Sequence, residues 1–381
     1  MDFELTEEQA MLRETVARFT RENCDDELFR RMDEEEYYPQ ALYRQLGELG
    51  LLAIPLPEAY GGSGLGAVEC ALFQEELSKR LLPLQMTFQV SILSAGMSIL
   101  GLGTDIQRQA FLPKLVGGDF NICIAFSEPT AGSDAASIRV SAVPDGPDHY
   151  RLNGQKIWIT AADLSDYMLI STRTDRDAPN REGISTFLLD CRSEGLTIRR
   201  IKKLGVKANP YCEVFLDNVR VPAENMLNGL NQGWAVVTHT LELDRIGAAA
   251  RWVGLAQEAL DYGMAYARER QQFGRAISRF QPMRERFAEL QTRVDAARLL
   301  TYRAASMLDA GRPCRKEASM AKLYASEMVV ELTREMLQVL GGAGYAMEYH
   351  AQRFLRDSLF ATIGAGTSEI QKLIISSEMD L

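Results

Sequence analysis

The sequence predicts an α+β fold in three consecutive parts: a helical domain over residues 1–119, a β domain over 120–228 and a helical bundle over 229–381. Three observations carry this. A capping box opens an apolar stripe of 3.6-residue period near the N-terminus, the period shifts towards two from about Phe120, and long helical stripes return beyond Gly233. No strand–helix–strand alternation runs through the chain, which disfavours a parallel doubly wound sheet.

The first helix is expected at Thr6-Glu7-Glu8-Gln9, a box ahead of Met11, Leu12, Val16 and Phe19. Pro39 marks a second helix start, Gly50 its end, and Thr104 to Gln107 repeats the box. In the middle part, Tyr150-Arg151-Leu152 and Gln155-Lys156-Ile157-Trp158-Ile159 flank Asn153-Gly154, a two-residue hairpin signal. Short strands are expected at 166–172, 184–189, 196–201 and 212–221. In the last part Phe287, Leu290, Val294, Ala297, Thr301 and Ala304 form one stripe, and Met328, Leu332, Met336 and Leu340 another.

With 381 residues, 46% hydrophobic and 25% charged, the chain is long enough for a large core and too apolar for global disorder. Forty-two basic against 52 acidic residues give a net charge of −10, so neither nucleic acid nor an anionic membrane is an expected partner. The six cysteines form no Cys-x-x-Cys pair and the three histidines lack ligand spacing; no metal is expected. No signal-peptide pattern and no apolar run of about 18 residues is seen, so the chain is expected to start at Met1 and to work in the cytoplasm.

Gly61-Gly62-Ser63-Gly64-Leu65-Gly66 lacks dinucleotide-loop spacing and reads as a loop between helices, and neither a P-loop nor a Gly-x-Ser-x-Gly elbow is present. Two other segments carry chemistry. Ile124 to Asp134 sets Ser127, Thr130 and Ser133 beside Pro129 and Gly132, a loop able to present backbone donors to a polar cofactor or to serve as an ordinary turn. Gly364-Ala365-Gly366-Thr367-Ser368-Glu369-Ile370 opens a helix, either as a cap or as an anion site.

Five ordered motifs make the chain resemble the acyl-CoA dehydrogenase family along its whole length. They are Ser127-Glu-Pro-x-Ala-Gly-Ser-Asp134, Asn153-Gly-x-Lys-x-Trp-Ile-Thr160, Arg270-x-Gln-Phe-Gly274 with Phe280-Gln281, Gln338-x-Leu-Gly-Gly-x-Gly-Tyr345, and Arg356-Asp357. The resemblance implies a C-terminal four-helix bundle and FAD as cofactor. It implies that Phe126, Ser127, Trp158, Ile159 and Thr160 border the isoalloxazine. Ser133 would lie near the pyrophosphate or pantetheine. Arg270, Gln272, Phe273 and Gln281 would hold the FAD of a neighbouring subunit, with Gln338, Gly341 and Gly342 on its adenosine half and Thr367 and Glu369 flanking the cofactor. A homotetramer, an electron-transfer flavoprotein as acceptor and an acyl-CoA or acyl-carrier-protein thioester as substrate follow from the same likeness.

Most family members place a Glu before the Gly-Thr of the last motif to remove the α-proton; here that residue is Ala365. The isovaleryl-CoA and long-chain branches have their Glu before an Arg on the first long C-terminal helix, the place of Asp244 and Arg245 here, and the base placement is closest to the isovaleryl-CoA branch. Leu241, Asp244, Ala248, Trp252 and Leu255 share one helical stripe, so Asp244 lies on an apolar face as the candidate base, or else pairs with Arg245 or Arg251. Arg245, Gly364, Ala365 and Gly366, with Ser133, are the expected substrate contacts. Gly364 and Ala365 stand where relatives have a bulky residue and the Glu, and the volume they leave points to a short, branched or cyclic acyl group. The rival readings are enoyl-thioester reduction or a lyase step on the same scaffold, and a non-catalytic thioester binder.

Overall fold

The computed structural model describes residues 4–381. Its N-terminal part is helical, and both expected boxes are present: Thr6 accepts from the Gln9 amide while Gln9 reaches back to the Thr6 N–H, and Thr104 and Gln107 do the same. The helix Gln40–Glu48 follows Pro39, and Gly50 sits beyond its end at φ 73°. The loop at Gly61–Gly66 folds back on Leu56 so tightly that a Cβ on Gly62 would lie 1.8 Å from the Leu56 carbonyl oxygen. That glycine serves packing, not phosphate.

One element was hidden from the apolar-run test. Leu82–Leu102 is a continuous 21-residue helix, long and apolar enough to cross a membrane, yet 78% of its apolar window is buried inside the protein. It is a core helix. Its middle, Gln89–Gly96, is wound as a π-helix, a form concentrated at functional sites because it re-aims side chains.

The middle part is a mixed sheet of β1 (Ile122–Ala125), β2 (Ser141–Pro144), β3 (His149–Thr160), β4 (Tyr167–Arg173), β5 (Ile184–Asp190), β6 (Leu196–Arg200), β7 (Tyr211–Pro222) and β8 (Met226–Leu227). The order is β6-β7-β3-β2-β4-β5-β8, with β1 parallel to β4 and most other pairs antiparallel. The hairpin expected at Asn153-Gly154 does not form. β3 runs straight through both residues because β7 pairs along its whole length, and the irregularity is absorbed as a register shift between Leu152 and Gly154. Asn153 caps that shift, its side-chain oxygen accepting from the Asn218 N–H at 2.8 Å. Gly154 is required there for a different reason: at φ 137°, a Cβ would come within 2.9 Å of Val140.

Beyond the sheet, Leu241–Glu269, Gln281–Asp309 and Arg315–Leu340 are the long bundle helices. Their expected stripes are buried, including Leu290, Val294, Ala297, Thr301 and Ala304 on one helix and Met328, Leu332, Met336 and Leu340 on another. Trp252, 2% exposed, is among the largest side chains in this core. Truncating such a residue to Ala costs about 3–5 kcal/mol.

Candidate active site

A second register shift in β3, between Lys156 and Ile159, inserts one extra residue against β7 and leaves Trp158 at φ 62° with its indole 55% exposed. Such bulges turn a side chain out of its ladder. The bulge is locked to the Ser127 loop. The Ile157 N–H donates to the Ser127 carbonyl at 3.1 Å. Lys156, fully buried, donates to the Phe126 carbonyl and to Glu128 Oε1, both at 2.9 Å. Glu128 in turn accepts from the Arg139 and Val140 N–H groups. Burial lowers the Lys156 ammonium to about 8, against the opposing pull of Glu128. This buried pair brings Phe126, Ser127, Trp158, Ile159 and Thr160 together on one platform, whereas Gly132 and Ser133 stay exposed on the adjoining loop.

An exposed indole beside hydroxyls and open backbone suits a flat ring with polar edges, and at Gly132 an added Cβ would meet nothing within 4 Å. The residues present therefore fit the isoalloxazine and adjoining chain of FAD.

The platform reaches the bundle through aromatic contacts. Thr160 pairs with Tyr211, whose ring lies 5.3 Å from Phe360, itself 6.4 Å from Trp252. Trp252 is on the same helix as Asp244, which is partly buried and engaged in no salt bridge with any described residue. Neither Arg245 nor Arg251 pairs with it. Three neutral donors hold its carboxylate: Gln89 Nε2 at 2.7 Å and Ser94 Oγ at 2.6 Å on Oδ1, and Thr240 Oγ1 at 3.0 Å on Oδ2. Gln89 and Ser94 belong to the π-wound turn of the core helix. Burial raises the Asp244 carboxyl above its ordinary value despite these donors and the charge of Arg245. A carboxylate that prefers its proton more than usual is a stronger base.

The loop before the last helix faces the same region. Lys322, fully buried, donates to the carbonyls of Ala361 at 3.0 Å and Gly366 at 2.7 Å, and burial lowers it to about 8. Gln371 also donates to the Ala365 and Gly366 carbonyls. Ala365 is exposed at φ 54°, and Thr367 caps the helix Ser368–Ser377 by accepting from the Ile370 N–H, with Glu369 exposed in its first turn. The space expected beside Gly364 is taken. A Cβ there would lie 2.1 Å from the Phe360 ring, so the aromatic side chain has moved into the volume the glycine leaves.

Arg270, Gln272, Phe273 and Gln281 stand elsewhere. Asp244 and Arg270 are 26 residues apart on and just past one helix, about 40 Å at 1.5 Å per residue. Arg270, Gln272 and Gln281 are exposed, and Phe273 is 91% exposed at φ 52°. Gln338, Gly341 and Gly342 are exposed at the same end of the bundle, where Met336 packs on Gly263, and the two glycines face open space. The candidate residues thus form two groups.

Sequence reasoning missed Glu128, Lys156, Gln89, Ser94, Thr240 and Lys322 as parts of the site. A lysine at an inward position of an alternating strand was the available signal for Lys156, since an unpaired buried cation is not tolerated. For Gln89 and Ser94 there was none, because the π-turn that aims them has no sequence signature.

Comparison with known proteins agrees with this layout. Family profiles match in order: acyl-CoA dehydrogenase N-terminal domain over residues 6–119, middle domain over 123–219 and C-terminal domain over 231–379. A probable acyl-CoA dehydrogenase of Bacillus subtilis, YngJ, is 38% identical over 380 residues, the full length of both chains. Butyryl-CoA dehydrogenase from Megasphaera elsdenii superposes with a TM-score of 0.96 at 31% identity, covering 100% of both chains. The prolyl acyl carrier protein oxidase AnaB has a TM-score of 0.93 at 31% identity, covering 99% of this chain and 100% of its own.

Proposed function

Because the chain belongs to the acyl-CoA dehydrogenase family and is an oxidoreductase of that type, we propose that Asp244 is the base that removes the α-proton of its acyl thioester. The observation that carries this is the position of one carboxylate. Asp244 is the acid on the helical stripe that carries Trp252 to the aromatic wall, it makes no salt bridge with any described residue, and position 365 holds an alanine. Thr240 leaves lone-pair capacity on Oδ2 for the incoming proton. Gln89 and Ser94 fix Oδ1, which holds the shorter aspartate arm in one orientation.

FAD held at the platform would supply the acceptor for the β-hydride and a route for electrons to an external acceptor, which we take to be an electron-transfer flavoprotein. The chain's own part is positional. The bulged platform would present Trp158 to a ring face and Ser127 and Thr160 to its edges, and a backbone N–H near Ala365 would polarise a thioester carbonyl. Gly364, Gly366, Arg245 and Ser133 complete the substrate contacts, with Thr367 and Glu369 flanking the cofactor. Arg270, Gln272, Phe273, Gln281, Gln338, Gly341 and Gly342 serve the FAD of a second subunit in a cytoplasmic homotetramer. The separation of about 40 Å from Asp244 supports this, as does the exposure of Phe273 and of Tyr345, 84% exposed.

The acyl group is short, branched or cyclic and carried on coenzyme A. Support comes from the wall of Tyr211, Phe360 and Trp252, which limits length, and not from room at Gly364. The likeness to a carrier-protein oxidase makes a carrier-protein thioester the second reading. Anaerobic bleaching of the flavin across a thioester panel tests both. Short or branched acyl-CoA is expected to bleach faster than palmitoyl-CoA. The opposite order overturns the size assignment, bleaching by carrier-protein thioesters alone favours the second reading, and a colourless protein points to a binder.

A further inference from the structure

We propose that the acyl group taken by this site carries a carboxylate of its own, bound by the guanidinium of Arg251. The inference rests on the thioester reading above and adds a substrate class to it. Arg251 is seven residues beyond Asp244, two turns along the same helix, about 10 Å in rise. Helical side chains lean towards the N-terminus, so the arm of Arg251 leans back in the direction of Asp244. The residue is 5% exposed, its Nε has no acceptor, and it makes neither a hydrogen bond nor an ion pair with any described residue.

Its surroundings repeat the imbalance. Arg245, 6% exposed, leaves Nη1 without a hydrogen-bond acceptor, with Glu242 3.7 Å away as its ion-pair partner. The hydroxyl of Tyr211, 5% exposed, has no partner either. Lys322 is spent on loop carbonyls. Three buried cations therefore share this interior with the neutral-donor-bound Asp244 carboxylate, and Glu242 stands beside only one of them, Arg245. A buried guanidinium without an anion is costly in a folded chain, and the missing anion is supplied by a ligand that enters the site.

A carboxylate fits best. Guanidinium and carboxylate match as planar forks, and the Tyr211 hydroxyl supplies a further donor. The isoalloxazine ring is neutral, and the exposed Arg270 group is the basic one suited to phosphates. A wholly apolar acyl chain would leave Arg251 unpaired in the complex, and sites built to bond a polar group reject analogues lacking it.

The test uses the FAD-loaded enzyme and two five-carbon probes, glutaryl-CoA and pentanoyl-CoA, read by the flavin absorbance change on binding and by anaerobic bleaching. The expected result is at least tenfold tighter binding of glutaryl-CoA, lost in Arg251→Gln without weaker binding of pentanoyl-CoA, and partly kept in Arg251→Lys. Equal or tighter binding of pentanoyl-CoA by the wild type overturns the inference, as does Arg251→Gln weakening both probes alike or lowering flavin content. Should Arg251→Gln fail to fold, the wild-type ratio decides. Bleaching without glutaryl preference leaves the dehydrogenase reading intact and removes the carboxylate; preference without bleaching by either probe does the reverse.

Discussion

At its N-terminal end the helix Leu241–Glu269 buries Arg245 and Arg251, surrounds Asp244 with three donors and abuts an aromatic wall. Just past its C-terminal end, Arg270, Gln272 and Phe273 stand in solvent, at the end of the bundle where Gly341 and Gly342 leave open space beside their Cα atoms. The same helix thus has one end whose polar groups lie inside the fold and one end whose groups stand exposed, the end assigned above to a second subunit's cofactor. The difference teaches where each group's partner comes from. Under the proposed function, buried polar groups at the first end are satisfied internally or by substrate, and exposed groups at the second by another subunit's cofactor.

Four single variants would break or sharpen that contrast. The largest effect is expected for Lys156→Met, which strands the buried Glu128 carboxylate and should destabilise the protein by about 3–5 kcal/mol in denaturant unfolding. Adding Glu128→Leu should recover much of it; a single-variant loss under about 1 kcal/mol would mean that the pair does not hold the platform. Next is Arg270→Ala, which should weaken FAD retention by about 2–3 kcal/mol through the lost charge-assisted phosphate contact. Monomers that keep full FAD in sedimentation would place that arginine outside the cofactor site.

Between the two ends, Glu258 is pushed up to about 7 by burial, against the pull of Arg80. A carboxyl whose folded value lies above its unfolded one contributes stability that is full below about 4.5 and is lost as pH rises through about 7. Glu258→Gln should flatten that slope and raise Tm at pH 8 by a few degrees, with little change at pH 5; a larger gain at pH 5 would contradict it. The smallest effect belongs to Ser94→Ala. Removing a donor from Asp244 disfavours its charged form, so the acid limb of the bleaching rate should move to higher pH with FAD content unchanged.

The three-part fold was legible because capping boxes, buried stripes and the change of period are local signals, each read from about a dozen residues. The hairpin error at Asn153-Gly154 came from the same locality: turn chemistry was read correctly, but pairing with β7, about 60 residues later, kept the strand straight. At the site, Asp244, Trp158 and the glycine-rich loops were visible as motif positions. What stayed hidden depends on tertiary contact: the filling of Gly364 by Phe360, the donors aimed by the π-turn, and the lack of a hydrogen-bond or ion-pair partner for Arg251 among the described residues.

The central claim, that Asp244 removes the α-proton, is tested most directly by stopped-flow anaerobic bleaching of FAD-loaded Asp244→Asn with the best thioester found for the wild type. The amide keeps the shape and most of the hydrogen bonding but cannot take the proton, so FAD should stay bound while bleaching slows at least about a hundredfold. Ala365→Glu added to this variant should restore part of the rate by supplying a carboxylate from the loop. Bleaching of Asp244→Asn at the wild-type rate would contradict the account and leave Asp244 as a carboxylate that merely ties its helix to the π-wound turn.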